Sequence, residues 1–177
     1  MVYLFLANGF EDMEATTPFN LLQRAGISVK TVGVGAKTVK SAHGLTVTAD
    51  ISEAEWKPKD VEAVILPGGM PGASNLKKSK TVSEAIRFAL ENQKIIAAIC
   101  AAPGVVLEGT GALNGRNYTC FPGFEKEEGN YTAKRCERDG NLITANGPGA
   151  AGEFSYTLIE ALRSKEAAAR LRNSMEH

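Results

Sequence analysis

The sequence predicts a single α/β domain with a doubly wound, mostly parallel sheet and helices on both faces. Two observations predict it. Short apolar runs rich in β-forming residues alternate with helical patterns almost throughout the chain, and the length of 177 residues suits one domain. In such a sheet the crossovers are right-handed, and ligands bind beyond the carboxyl ends of the strands. We therefore treat residues 1–177 as one domain with one active site.

In the first half of the chain, strands and helices alternate. The predicted strands are short apolar runs at residues 2–7, 27–34 and 61–66. The predicted helices lie at residues 13–25 and from Ser79 to about residue 92. Gly26 supplies a stop for the first helix, and residues 67–72 form a loop. The Thr- and Val-rich stretch 38–49, broken at His43-Gly44, predicts a hairpin.

The second half contains the most apolar predicted strand, residues 95–99, which is followed directly by Cys100. An apolar helix is expected next, through Leu107, with Pro103 tolerated in its first turn. Residues 131–137 and 141–145 flank a hairpin turn signal at Asp139-Gly140, and a last amphipathic helix is expected from about residue 153. Cys100 is therefore predicted to lie between the end of a strand and the start of a helix.

The composition excludes several classes of function. Lys plus Arg and Asp plus Glu both total 20, so no net charge favours nucleic acid or an acidic membrane surface, and neutral metabolites or protein surfaces are the expected partners. The start of the chain has no basic leader, and no apolar run reaches the roughly 18 residues of a membrane helix. We expect a cytoplasmic protein.

Neither a disulfide framework nor a metal site is expected. The three cysteines, Cys100, Cys120 and Cys136, are widely spaced without a C-x-x-C pair, and the two histidines are His43 and His177. The glycine-rich loop after Leu66 lacks both G-x-G-x-x-G and a P-loop Lys-Ser/Thr pair. We therefore expect no metal and no nucleotide cofactor.

Cys100 is the candidate nucleophile. An isolated cysteine after an apolar run is more often structural, but a thiol at a helix N-terminus faces free N–H groups that favour the thiolate. Small neighbours such as Ala97 and Gly104 permit the sharp turn of a nucleophile elbow. We expect Cys100 to be the only thiol with a lowered pKa, because Cys120 and Cys136 lack a helix N-terminus.

Two further loops should reach the same edge of the sheet. The N–H groups of Gly69 and Ala101 could form an oxyanion hole, although the glycines at 68 and 69 could equally form only a turn. Glu11, Asp12 and Glu14 crowd the start of the first helix, which alone is ordinary helix-start chemistry. Because the loops after the strands converge, one of these carboxyl groups could contact Cys100.

Four sequence blocks, in order, resemble the ThiJ/PfpI superfamily and its DJ-type branch, which includes YajL-like proteins and the parkinsonism-linked protein. The resemblance covers nearly the whole chain. The blocks are residues 9–14 with 22–26, residues 66–73, residues 97–103 and residues 147–149.

The resemblance implies a flavodoxin-like (class I glutamine amidotransferase-like) fold, usually dimeric, with the first helix as the expected contact. It assigns Cys100 as the nucleophilic and oxidisable cysteine, Glu14 as the protonated carboxyl bonded to it, and Gly69 and Ala101 as backbone donors. It leaves Arg24, His43 and Phe121 as candidates for substrate binding. His43, an exposed hairpin histidine, would more often be a plain surface residue.

Two departures from the family pattern narrow the function. Protease-like relatives carry His directly after the cysteine, where this chain has Ala101, so peptidase activity is disfavoured. The His-Pro of the human-type proteins is here Phe121-Pro122. The leading hypothesis is a cofactor-free, glyoxalase III or deglycase-like enzyme that acts on dicarbonyls or glycated proteins in stress defence. The rival is a redox-sensing or chaperone-like protein in which Cys100 is oxidised without turnover.

Overall fold

A central sheet organises the chain. The computed structural model describes residues 1–175. The strands are β1 (Val2–Ala7), β2 (Val29–Val34), β3 (Thr38–Lys40), β4 (Thr46–Thr48), β5 (Ile51–Ser52), β6 (Ala63–Leu66), β7 (Ile95–Ile99), β8 (Asn117–Tyr118), β9 (Asn130–Tyr131), β10 (Cys136–Asp139) and β11 (Leu142–Ala145). Seven of them form one sheet in the order β10-β11-β7-β6-β1-β2-β5, parallel except for β10. The doubly wound fold class is confirmed.

Helices cover both faces of this sheet. They are α1 (Asp12–Arg24), α2 (Gly72–Lys78), α3 (Lys80–Glu91), α4 (Ala102–Val105), α5 (Ala151–Leu162) and α6 (Lys165–Met175). Because successive side chains of a strand point to opposite faces, Leu4 of β1 packs in the cluster with α1 and α5, whereas Phe5 packs in the cluster with α2 and α3. The sheet is therefore buried on both sides, as its continuous apolar strands predict.

Several local predictions are confirmed. Ser79 caps α3, with its side chain accepting a hydrogen bond from the Val82 N–H at 3.2 Å. β3 and β4 form the predicted antiparallel hairpin, and β10 and β11 form the second one around Gly140, whose φ is +60°.

Other local predictions are corrected. The helix after Cys100 ends at Val105 rather than Leu107, and the strand expected over 131–137 is divided between β9 and β10. The last predicted helix begins at Ala151 and is followed by the separate helix α6, while α2 occupies a stretch for which no helix was predicted. Short elements such as α2 carry too few residues to show a periodicity.

Candidate active site

Cys100 lies on a strained turn at the carboxyl end of β7. Its φ of +63° is in the left-handed region, which costs a residue with a side chain about 1–2 kcal/mol. Two backbone hydrogen bonds hold the turn: the Cys100 N–H donates to the Ala145 carbonyl at 2.9 Å, and the Phe121 N–H donates to the Cys100 carbonyl at 2.8 Å. The thiol is partly exposed. The sharp strand-to-helix turn predicted here is present.

Glu14 is buried beside this turn. Its side chain lies in the first turn of α1 and is 0% exposed. Oε2 accepts a hydrogen bond from the Gly68 N–H at 2.8 Å. Oε1 is buried and has no partner with full hydrogen-bond geometry, but the Cys100 thiol is close enough to interact with this carboxyl group. The two side chains therefore form a pair that is largely withdrawn from water.

Burial raises the pKa of Glu14 from its ordinary 4.5 to about 7, against the opposing hydrogen bonds from Cys100 and Gly68. Burial also raises the pKa of Cys100 from 9.0 to about 12, and the neighbouring Glu14 carboxylate adds to the rise. The two groups titrate together, because each resists a second negative charge beside it. With these pKa values the pair holds one proton between about pH 7 and about pH 12, mainly on the sulfur.

The expectation that Cys100 has a lowered pKa is therefore wrong. It depended on a helix N-terminus, but α4 has only 4 residues and the sulfur is buried beside a carboxyl group. The reactive form is reached in another way. When the single proton lies on Glu14, the repulsion disappears, and the sulfur can accept hydrogen bonds from Glu14 and from the Gly69 and Ala101 N–H groups, which already face it.

Glycines let the two neighbouring loops pack backbone against backbone. A Cβ built on Gly68 would lie 2.8 Å from the Cys100 Cβ and 2.8 Å from Glu14 Oε2. A Cβ on Gly69, whose φ is +82°, would lie 2.5 Å from the Glu11 nitrogen. Gly9, with φ +87°, is likewise pressed against Pro71. The absence of a side chain at Gly68 therefore allows Glu14 and Cys100 to approach each other, a packing role that the sequence did not predict for this loop.

The structure does not bring Arg24 to the thiol. Arg24 lies in the last turn of α1, and the ten residues from Glu14 correspond to about 15 Å along the helix axis. Its guanidinium donates to Asn20 Oδ1 at 2.8 Å, and it lines a cleft with Arg170 of α6.

His43 contacts the acidic start of α1 rather than the sulfur. Its side chain is 71% exposed, and its Nδ1 lies 2.8 Å from Asp12 Oδ2 and 4.0 Å from Glu11 Oε1. One ligand atom from each of these three residues lies within 4.8 Å of the others, so the cluster has the residue types to hold a cation. His43 already contacts both carboxyl groups, and Asp12 also accepts a hydrogen bond from Ser41 Oγ at 2.7 Å.

Of the three candidates for substrate binding, Phe121 is the one whose backbone contacts Cys100. Its N–H donates a hydrogen bond to the Cys100 carbonyl. Its ring is 44% exposed, and a Cβ on Gly147 would lie 3.3 Å from its Cδ2. The preceding residue, Cys120, is fully buried. The structure thus bonds the Phe121 backbone to the Cys100 turn, with the side chain packed on Gly147.

Cavity volume does not locate this site. A cavity of about 380 Å³ near the ends of β1 and β2 is lined by residues that include Asn8, Gly35, Glu53 and Lys78, but not by Cys100 or Glu14. We locate the site by its chemistry, since the strained cysteine and the buried carboxyl group occur together at the carboxyl edge of the sheet.

The fold and the site together define a class: a flavodoxin-like domain, related to class I glutamine amidotransferases, with a cysteine on a strained turn beside a buried glutamate. The chain belongs to the DJ-1/PfpI family, whose model matches residues 1–161.

Individual relatives agree with this assignment. The zebrafish (Danio rerio) Parkinson disease protein 7 homolog is 35% identical over 176 residues, which cover 96% of this chain and 93% of the relative. The crystal structure of Drosophila melanogaster DJ-1beta superposes with a TM-score of 0.93 at 33% identity, over 98% of this chain and 96% of that one. An oxidized Toxoplasma gondii DJ-1 has a TM-score of 0.94 at 29% identity, over 99% and 97% of the two chains.

Proposed function

We propose that this protein is a cofactor-independent enzyme of the glyoxalase III or deglycase type, which acts on reactive dicarbonyls and converts methylglyoxal to lactate in stress defence. One observation carries the proposal: the fully buried Glu14 carboxyl group lies beside the thiol of Cys100, which is held on a strained turn. Such a pair supplies both a nucleophile and an acid–base group, which is what an internal rearrangement of a 2-oxoaldehyde requires.

The first step is attack of the Cys100 sulfur on the aldehyde carbon. The thiol proton passes to the Glu14 carboxylate as the bond from sulfur to carbon forms, and Glu14 then gives that proton to the carbonyl oxygen, giving a hemithioacetal. The N–H groups of Gly69 and Ala101 lie against the sulfur, so they are within reach of the oxygen on the carbon bonded to it. These donors would stabilise the oxygen while its negative charge develops.

The remaining steps need only Glu14 and water. The Glu14 carboxylate removes the hydrogen from the former aldehyde carbon, which gives an enediolate. The proton returns to the neighbouring carbon, and the hydroxyl proton passes from the former aldehyde oxygen to the former ketone oxygen, leaving a lactoyl thioester on Cys100. Water then cleaves the bond between sulfur and carbon, which releases lactic acid and the thiol. The sum is methylglyoxal plus water to lactic acid, with no external oxidant or reductant. A carboxyl group with a pKa near 7 is suited to donate and accept in turn.

A D-lactate assay with purified protein and methylglyoxal tests the proposal. Wild type should produce lactate catalytically, the Cys100→Ser variant should lose turnover by about a thousandfold or more, and the matched Cys136→Ser variant should retain it. Lactate formation that survives Cys100→Ser would rule out this mechanism.

Redox sensing through Cys100 is the second candidate. The partly exposed thiol and the fully buried, protonated Glu14 suit a sulfinate that accepts a hydrogen bond from the carboxyl group, and one similar structure is of an oxidized DJ-1. The two candidates differ in stoichiometry, since a sensor consumes one thiol per event. Wild-type protein that forms sulfinate at Cys100 but no lactate would favour the sensor.

A homodimer that uses α1 is also proposed. Structures of this family are commonly dimeric. Here an apolar groove of about 260 Å³ between α1 and the β3–β4 hairpin is lined by Phe10, Phe19 and Val47, and Met13 and Leu45 are exposed nearby on α1 and the hairpin. A Met13→Glu variant should sediment as a monomer at concentrations where wild type is dimeric. A dimer that persists in this variant would place the interface elsewhere.

The other expected partners are small aldehydes and glycated or damaged proteins, rather than nucleic acid or membranes. None of the helices within residues 1–175 is long and apolar enough to cross a membrane. The three cysteines, all in the described part of the chain, are free thiols, which supports action in a reducing compartment such as the cytoplasm.

A further inference from the structure

Two exposed apolar residues lie in the segments that hold the reactive Cys100 turn. Phe121 is 44% exposed, and its N–H is bonded to the Cys100 carbonyl. Met70 is 50% exposed and directly follows Gly69, whose N–H faces the sulfur. These are two of the largest exposed apolar side chains among the described residues, and both come from segments that hold Cys100. Exposed apolar groups at a reaction site indicate what the site binds.

The Phe121 ring is fixed on one side and open on the other. One side packs on Gly147, where an added Cβ would lie 3.3 Å from Cδ2, and Phe124 approaches at 6.4 Å between ring centroids with an interplanar angle of 66°. The backbone on both sides is tied down, because the Phe121 N–H is bonded to Cys100 and the Phe124 N–H to the Phe121 carbonyl at 3.1 Å. The exposed part of the ring is therefore a preformed apolar surface.

Met70 provides a second, adaptable surface. Its sulfur accepts a hydrogen bond from the Ser74 Oγ at 3.8 Å, which directs the side chain along the start of α2. An unbranched thioether adjusts to the shape of an apolar group and makes favourable contacts with aromatic rings. Phe121 and Met70 are thus two exposed apolar residues in segments adjoining Cys100.

The charges near the sulfur act against anionic substrates. The charged side chain that acts on the Cys100 sulfur is Glu14, and the one that acts on Glu14 is Glu11. Both are negative when ionised, so an oxoacid or a phosphorylated aldehyde would meet like charge. A neutral substrate avoids this cost.

We propose that Phe121, with Met70, determines substrate choice by packing against the apolar substituent of a neutral 2-oxoaldehyde, so that aryl-substituted oxoaldehydes are preferred over methylglyoxal. The proposal rests on the proposed glyoxalase-type function of Cys100 and Glu14. A phenyl group stacked on the Phe121 ring gains an aromatic contact that a methyl group cannot make, and we expect a preference of about tenfold in kcat/KM.

The test compares phenylglyoxal with methylglyoxal in wild type, Phe121→Ala, Phe121→Leu and a matched control, Tyr131→Ala. Tyr131 is an aromatic side chain of similar exposure, 37%, on β9. Phe121→Ala should abolish the preference whatever its effect on methylglyoxal turnover, Phe121→Leu should keep part of the preference, and Tyr131→Ala should match wild type. The ratio of the two substrates cancels any general loss of activity.

Three outcomes would overturn the proposal. These are a wild type that turns over methylglyoxal without preferring phenylglyoxal, a Phe121→Ala variant that loses both activities equally, and a Tyr131→Ala variant that loses the preference. The second outcome would mean that Phe121 only holds the Cys100 turn.

If the protein turns over neither substrate, the proposed function fails. Alkylation of Cys100 then still tests the proposed contact at Phe121. Iodoacetamide and N-benzyliodoacetamide both form a bond from the Cys100 sulfur to carbon, release iodide and lose the thiol proton to solvent. Intact-mass kinetics should show that the benzyl reagent reacts about tenfold faster relative to iodoacetamide in wild type than in Phe121→Ala. Equal ratios in the two proteins would refute an apolar wall at Phe121.

Discussion

Replacing Glu14 by glutamine should change the stability of the protein in a pH-dependent way. The free energy of unfolding of the variant, measured relative to that of wild type, should be higher at neutral pH than at acid pH. The amide has the same shape, so its oxygen can still accept the Gly68 N–H that now binds Oε2 at 2.8 Å. Its NH₂ group can occupy the place of Oε1, which has no partner with full hydrogen-bond geometry in the wild-type structure. The substitution therefore removes a buried titrating group with little change in packing.

The magnitude follows from the pKa of Glu14. In the folded protein this carboxyl group keeps its proton up to about pH 7, whereas it ionises near 4.5 in the unfolded chain. Between these values the folded state binds more protons, so wild-type stability falls as the pH rises. At about 1.4 kcal/mol per pH unit the loss is about 3 kcal/mol, complete above pH 7. The Glu14→Gln variant lacks this loss.

Urea unfolding of both proteins at about pH 4 and about pH 8 measures the effect. The upper pH is kept at about 8 because the thiols of the unfolded chain are not yet fully ionised there. The stability difference between Glu14→Gln and wild type should grow by about 3 kcal/mol across this interval. Glu84→Gln, on the exposed face of α3, is the matched control and should follow wild type. A difference that is the same at both pH values would refute a raised pKa at Glu14.

Three other experiments should separate the chemistry of the site from its packing. The Glu14→Gln variant should lose lactate turnover by about a hundredfold or more while its circular dichroism is unchanged; full turnover would move the acid–base role elsewhere. Gly68→Ala should be destabilised by several kcal/mol in thermal unfolding, because its Cβ would lie 2.8 Å from Cys100, whereas Gly152→Ala, with open space around it, should not. Under limited peroxide, peptide mass mapping should find Cys100 oxidised before Cys136, through transfer of its proton to Glu14, and the reverse order would contradict that transfer.

The elements that could be predicted from the sequence are those whose signals are local. The strand β7 is a continuous apolar run, α3 has a capping serine at Ser79, and the β10–β11 hairpin has its glycine at the turn. α2 was missed because its 7 residues begin at Gly72, directly after a Pro- and Gly-rich loop, and two-residue strands such as β8 carry no pattern at all. Such short elements form because their neighbours in the fold hold them.

The candidate site could likewise be predicted only in part from the sequence. The turn at Cys100 and the convergence of Glu14 on it could be predicted, since loops at the carboxyl ends of parallel strands meet. The pKa of the thiol could not, because it depends on how deeply the sulfur is buried and on the full burial of Glu14, which the sequence does not show. Arg24 lies far from the site because Glu14 is at the other end of the same helix, α1.

The backbone packing of the two glycine loops has a consequence for how this site can evolve. Gly9 and Gly69 leave no room for side chains between the loop that precedes Glu14 and the loop that faces the sulfur. Nearly every substitution there would disturb the proton-handling pair itself. Phe121, our proposed substrate contact, holds the Cys100 turn through its backbone N–H, which an exchange of its side chain would retain. New substrate preferences would therefore arise by mutation on the Phe121 side, while the chemistry is inherited unchanged.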